Sequence, residues 1–135
     1  MEKAAFKLDG YRFTKASLNF NISSDAELDI LFNPHGVFSV KEARYTLEFE
    51  VSVRCKQTDT EVICVFCEAS FSFCDQISFE QIPEYFYPNS VAIIFPYIRA
   101  FVSTISLQAN VNPIVLPTIN LTGLTGELKR QTKSE

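Results

Sequence analysis

Residues 87–124 read YPNSVAIIFPYIRAFVSTISLQANVNPIVLPTINLTGL, and the way this stretch is read decides the fold. Its first part is one long helix, apolar almost all round. On a helical wheel Ala92, Pro96, Arg99, Ser103, Ser106 and Asn110 form a narrow stripe of small or polar residues. Val91, Ile94, Phe95, Ile98, Val102 and Ile105 crowd one flank of that stripe; Ile93, Tyr97 and Phe101 crowd the other. A helix with two apolar flanks must bury both. One covers this chain's own sheet, and the other needs a second copy. The first flank, Val91 to Ile105, is expected at the oligomer interface, in a homotetramer or at least a dimer. Pro88 suits a first helical turn. Pro96 removes the hydrogen bond to residue 92 and is expected to kink or divide the helix. Beyond it, residues 111–121 are too apolar for an ordinary surface connection.

Upstream of the helix the period changes from 3.6 to two. Ala43, Tyr45, Leu47, Phe49, Val51, Val53 and Cys55 alternate with charged and polar residues from Glu42 to Lys56. Strict alternation means a strand with one buried and one wet face. Gln57 to Thr60 closes a hairpin, and Glu61 to Cys74 returns with Ile63, Val65, Cys67, Ala69, Phe71 and Phe73 inward. Its first half, Val62 to Phe66, is apolar on both faces. A first strand is expected over residues 6–22, with Tyr11, Phe13, Leu18, Phe20 and Ile22 inward and a bulge near Ala16-Ser17. Ser23-Ser24-Asp25 reads as a turn, Glu27 to Phe32 as a short second strand, and Asn33-Pro34-His35-Gly36 as a strong turn holding His35. After Leu121 a short helix and a polar tail from about residue 126 are expected.

The fold class that follows is α+β. A four-stranded antiparallel sheet carries one long kinked helix and a short C-terminal helix on one face. The 135 residues fit a single domain, 1–135, with a modest core. With 47% hydrophobic residues the chain is not disordered, and a net charge of -4 gives no basic surface for nucleic acid. Met1-Glu2-Lys3 opens no signal peptide, and the run Val91 to Ile98 is short for a bilayer span, so a cytoplasmic home is expected.

No enzyme motif is present, and neither a cofactor nor a metal is expected. Cys64 and Cys67 have the spacing of a metal knuckle, but they lie on a strand, where residues three apart point to opposite faces. What stands out is apolar surface. From Asn112 to Leu121 large apolar groups alternate with prolines, which hold the segment extended. Ile114, Leu116, Ile119 and Leu121, with Phe79, Tyr85 and Phe86, either fill the core or line a groove for an extended chain.

Tyr87-Pro88-Asn89, Ile94-Phe95-Pro96-Tyr97-Ile98-Arg99 and Val102-Ser103-Thr104, followed by Pro113 through Pro117-Thr118-Ile119-Asn120, resemble the carboxy-terminal half of SecB, the bacterial export chaperone family. Phe13-Thr14-Lys15, Leu18-Asn19-Phe20 and Val65-Phe66-Cys67-Glu68 echo its strands. The resemblance implies a dimer of dimers that holds unfolded polypeptide, preproteins or other clients, without ATP. It makes Ile114, Leu116, Ile119, Leu121, Phe79, Tyr85 and Phe86 the expected client wall. The departures are a short first connection at Ser23 to Ala26, the absence of tryptophan, and a truncated second helix. Export members also carry strand acids that dock the translocation ATPase SecA. Here the matching positions are Ser17 and Asn21, and Glu68 is the acid retained, so SecA binding is expected to be weak. The other readings are a dedicated chaperone of one client, such as an antitoxin, and a small-ligand-binding or structural α+β module.

Overall fold

The computed structural model describes residues 6–117 and 121–135. Four long strands form one antiparallel sheet: β1 (Phe6–Leu18), β2 (Leu28–Ser39), β3 (Arg44–Cys55) and β4 (Thr60–Phe73). A 3-10 turn, Phe79–Gln81, leads to helix α1 (Phe86–Gln108). Helix α2 (Leu121–Arg130) and a three-residue strand β5 (Thr132–Ser134) follow. The strand order is β1-β4-β3-β2-β5, with β5 parallel to β2.

The alternating segments behave as period two demands. Tyr45, Leu47, Phe49, Val51 and Val53 of β3 and Ile63, Val65, Cys67, Ala69 and Phe71 of β4 are buried on the inner face. Helix α1 lies across that face. Phe86 sits among the rings of Phe6, Tyr45, Phe71 and Phe73 at one end, and Phe32 meets Phe95 further along. Phe13 stacks on Phe101 at 3.9 Å and Tyr11 on Tyr97 at 4.4 Å between ring centres.

Several expectations are corrected. Asn33 to Gly36 is not a turn, since β2 runs through it in unbroken register with Phe49, Glu48 and Leu47 of β3. Pro34 is tolerated because β2 has an open side. The Gly36 N–H donates to Gln131 O, away from β3, and alternation puts the missing Pro34 N–H on that same side. His35 therefore stands on the outer face, opposite Glu48 and 3.1 Å from Asn33 Oδ1. The chain reverses instead at Val40–Ala43, where Ala43 takes a left-handed φ of 52°. No glycine or proline marks that turn. The first strand ends at Leu18 and not Ile22, and its register slips between Phe13 and Lys15, and again between Leu8 and Gly10, not at Ala16-Ser17. Pro96 does not divide α1, which continues through it. Ala92 and Pro96 are both exposed, so water can serve the carbonyl that proline leaves free. Residues 126–134 are helix and strand, not a polar tail.

The flank expected at the oligomer interface faces the subunit's own core instead, and of the other flank Phe101 also packs on that core while Ile93 and Tyr97 stay exposed. Val91, Ile94, Phe95, Ile98 and Val102 are buried in the subunit's own core, with Ile105 packed against it. The solvent side carries Ile93, Tyr97 and Leu107, which are 37%, 42% and 61% exposed. Among the described residues α1 alone is long and apolar enough to cross a bilayer, and it is the core helix of this fold.

Candidate functional site

Beyond the C-terminal end of α1, two irregular segments face one another. One is the crossover between β1 and β2, residues 19–27; the other is the segment 111–117. Between them lies a cavity of about 250 Å³ lined by Phe20, Ile22, Ala26, Leu28, Val111 and Ile114, with Ser23, Ser24 and Asn112 at its polar edge. A second cavity of about 580 Å³ lies on the other side of the crossover. It shares Ile22, Ser23 and Ala26 and adds Asn21, Asp25, Cys55, Gln57, Thr58 and Thr60. The crossover is thus a thin wall with an apolar space on one side and a mixed one on the other.

Hydrogen bonds hold both walls. In the crossover the Ala26 N–H donates to Ser23 O at 3.1 Å, closing the turn expected at Ser23-Asp25. The Ser23 hydroxyl donates to the Asp25 carboxylate and holds its pKa below the ordinary carboxylate value. Gln57, from the β3–β4 turn, accepts from the Glu27 N–H at 3.0 Å. Across the cavity, the polar stripe of α1 fastens the other wall. Arg99 Nε donates to Leu116 O at 2.8 Å and the Ser103 hydroxyl to Ile114 O at 3.0 Å. The Ile114 N–H donates to Ser106 Oγ at 2.9 Å, while the one Ser106 hydroxyl proton is shared between the carbonyls of Val102 and Ser103. The bonds to Leu116 O, Ile114 O and the Ile114 N–H satisfy backbone groups that an apolar loop would otherwise leave unpaired.

The expected client residues do not form one wall. Ile114 lines the cavity, and Leu116 is fully buried in the core beside it. Phe86 opens α1 and Tyr85 precedes it, roughly 30 Å from the cleft at 1.5 Å per residue, and Phe79 lies in the 3-10 turn before them. Phe86 is fully buried and Tyr85 is half exposed against Phe6. Ile119 lies outside the described residues, as does the side chain of Leu121. Phe20, Ile22, Ala26, Leu28 and Val111 are the lining residues that the sequence reading missed. The spacing of the first two is that of strand residues facing the core, which they also touch.

Nothing in this arrangement does covalent chemistry. Cys67 faces the core, where burial pushes its thiol up to about 11, while Cys64 pairs with Ser52 on the outer face. Among the described residues no cluster of histidine, cysteine or carboxylate could hold a metal ion. Glu68 stands on the outer face, paired with Arg12 at 3.4 Å and directly opposite Glu48.

A helix-backed sheet with an apolar cleft between two loops offers a surface for binding. Three comparisons make the class specific. The family model described as preprotein translocase subunit SecB matches residues 15–132. The SecB-like chaperone Rv1957 of Mycobacterium tuberculosis, solved in complex with a ChAD peptide from the Rv1956 HigA1 antitoxin, superimposes with a TM-score of 0.71. That match covers 86% of this chain and 88% of the other at 15% identity. The uncharacterized protein MJ0357 of Methanocaldococcus jannaschii is 51% identical over 41 residues, which span 30% of this chain and 26% of that protein. The chain therefore belongs to the SecB family, whose members are non-enzymatic chaperones.

The Ser106 hydroxyl is the bond on which the loop wall turns. Ser106→Ala leaves the Ile114 N–H without its acceptor, and one such loss in a buried setting costs about 1–3 kcal/mol. Hydrogen exchange should show the Ile114 amide losing protection while the β3 amides keep theirs. Equal loss in β3 would mean that Ser106 holds the whole fold and not the wall.

Proposed function

We propose that this protein is a SecB-type holdase that binds extended, unfolded polypeptide in the cleft between residues 19–27 and 111–116, without nucleotide. The observation that carries this reading is the cavity lined by Phe20, Ile22, Ala26, Leu28, Val111 and Ile114. An apolar space of this kind, with backbone-satisfied walls, accepts large apolar side chains of many sequences, because hydrophobic burial has no direction. A volume of about 250 Å³ takes one or two side chains, so each site grips a short segment. The expected outcome is that the protein keeps several unrelated unfolded proteins soluble without ATP. The double variant Phe20→Ser/Ile114→Ser should lose this while keeping its fold by circular dichroism. Full holdase activity in that variant would place the client elsewhere, and activity toward a single client would favour the dedicated reading. That second reading has one specific support, the antitoxin peptide bound to the structurally similar Rv1957.

We place the self-association surface on the solvent flank of α1, at Ile93, Tyr97 and Leu107, continued by Tyr11 on β1. Leaving this apolar area in water costs about 25 cal/mol per Å². The assembly is a tetramer, or a dimer at the least, in the cytoplasm. Tyr97→Asp should lower the mass seen by light scattering with the subunit still folded, whereas Ile98→Asp should unfold it. A wild-type chain that stays monomeric at micromolar concentration would refute the assembly.

SecA docking is weak in this reading. The outer face carries Arg12, Glu68, Glu48 and His35 in one cross-strand row, so the retained acid is already neutralised by Arg12. Steering needs several aligned charges of one sign. A titration with the cognate SecA should show little binding at physiological salt. Tight binding abolished by Glu68→Ala would return the protein to general export.

A further inference from the structure

We propose that Gln57 sets the length of the client segment that the cleft takes, by holding the crossover 19–27 as a partition between the two cavities; the inference rests on the cleft being the client site. The apolar cavity of about 250 Å³ and the mixed cavity of about 580 Å³ have Ile22, Ser23 and Ala26 in common. What divides them is a single thickness of chain.

That chain is pinned at its two ends. The Asn19 N–H donates to Val62 O at 2.8 Å, and the Lys56 N–H donates to Glu27 O at 2.8 Å. Between these points the crossover bonds to itself. The Asn21 N–H donates to Asn19 Oδ1, the Ile22 N–H to Phe20 O, the Ala26 N–H to Ser23 O and the Ser23 hydroxyl to the Asp25 carboxylate. Such bonds travel with the crossover and fasten it to nothing else. Phe20, Ile22 and Ala26 rest on the core but are only partly buried. The side chain that reaches the partition from outside is Gln57. Its Oε1 accepts from the Glu27 N–H at 3.0 Å, and its Nε2 donates to Asp25 O at 3.5 Å.

Gln57 is presented by a braced turn. Arg54 donates to Asp59 O at 3.1 Å, the Thr58 and Thr60 hydroxyls lie 2.7 Å apart, and Asp59 takes a left-handed φ of 54°. The buried Cys55 thiol donates to Gln57 Oε1 at 3.2 Å, which orients the amide toward the crossover.

Two classes of client segment are thereby distinguished. With the partition in place, one or two apolar side chains fill the first cavity and the segment ends at the wall. A longer segment passes on only when residues 22–26 swing out, which breaks the Gln57 bonds. The space it then enters is edged by Asn21, Thr58 and Thr60, whose amide and hydroxyls suit neutral polar residues. The longer segment binds with an affinity reduced by the fraction of molecules whose partition is open, and the short one carries no such penalty. Gln57 is therefore a specificity-determining residue, and loss of its bonds favours long segments selectively.

The test uses the full chain and two fluorescein-labelled peptides, one with a Phe-Leu pair between glycines and one with the same sequence extended by Ser-Asn-Thr-Ser. Gln57→Leu keeps most of the volume and removes both bonds at an exposed position. Exchange of the Glu27 amide should speed up by about tenfold, the scale of one lost hydrogen bond, and the long peptide should bind about tenfold more tightly with the short one unchanged. Gln57→Glu keeps the acceptor for the Glu27 N–H and should return both readouts toward wild type. A merely structural role would shift both peptides alike. Such an equal shift, or faster Glu27 exchange with the length dependence of wild type, would overturn the partition and leave the cleft standing. Wild-type and variant chains that bind neither peptide at millimolar concentration would overturn the cleft as client site and the partition's role together.

Discussion

The structure turns on a hydroxyl that faces two ways. Ser106 is wholly buried, yet it donates back into its own helix and accepts from the Ile114 N–H. A buried polar group in an apolar helix is costly unless paired, and an apolar loop has the same difficulty with its backbone. Here each cures the other. Ser103 and Arg99 repeat the arrangement one and two turns earlier, on Ile114 O and Leu116 O. With the loop backbone satisfied from behind, its side chains are left to do apolar work. Leu116 drops into the core and Ile114 faces the cavity.

The sheet supplies the complementary constraint. Its inner face is filled by α1 from Phe86 to Val102, and this coverage stops short of the crossover. Leu18, at the end of β1, and Leu28, at the start of β2, remain 47% and 37% exposed for want of helix above them. The uncovered end of the sheet is where Phe20, Ile22 and Ala26 cross over and pack partly against the core. The cavity is therefore the place where a helix of fixed length runs out before the strands do.

How much of this could be read from the sequence follows from where period and pairing carry information. The alternation from Glu42 to Lys56 specifies β3 almost to the residue, because one face is fully buried and a slip would turn every side chain over. The long helix and the four-stranded sheet were legible for the same reason. Asn33-Pro34-His35-Gly36 was not, because its turn chemistry is overridden by an open strand edge that only the topology reveals. Nor does Val40–Ala43 carry a turn signal, since Ala43 accepts a left-handed φ without being glycine or asparagine. The two flanks of α1 could not be ordered by periodicity, which gives their angular separation and not which one meets the sheet. The polar stripe of Arg99, Ser103 and Ser106 was visible, but its partners are backbone atoms, which a sequence does not display. The cavity needed two loops far apart in the chain, and Phe20 and Ile22 looked like strand residues because their spacing is that of a strand.

The parts of the molecule differ in how firmly they are held, and that division suits a holding function. The central strands β3 and β4 are paired with a neighbour on each side along most of their length, and their inner faces are buried. Opening them means opening the fold. The cleft walls are held by partial packing of Phe20, Ile22 and Ile114 on the core, by the buried Leu116, and by single hydrogen bonds from Gln57, Ser103, Ser106 and Arg99, each worth about 1 kcal/mol net. Elements held this way belong to the low end of local stability. A rigid groove would discriminate among side chains by shape, because packed surfaces do not yield. The same economy sets a limit on grip. If the cleft is the client site, its small apolar volume would hold only a short segment, and retention of a long chain would need several sites acting on it at once, with the second binding event made intramolecular by the first. Self-association through the open flank of α1 would supply those sites in one particle, which ties the exposed side of the core helix to the work of the cleft at its end.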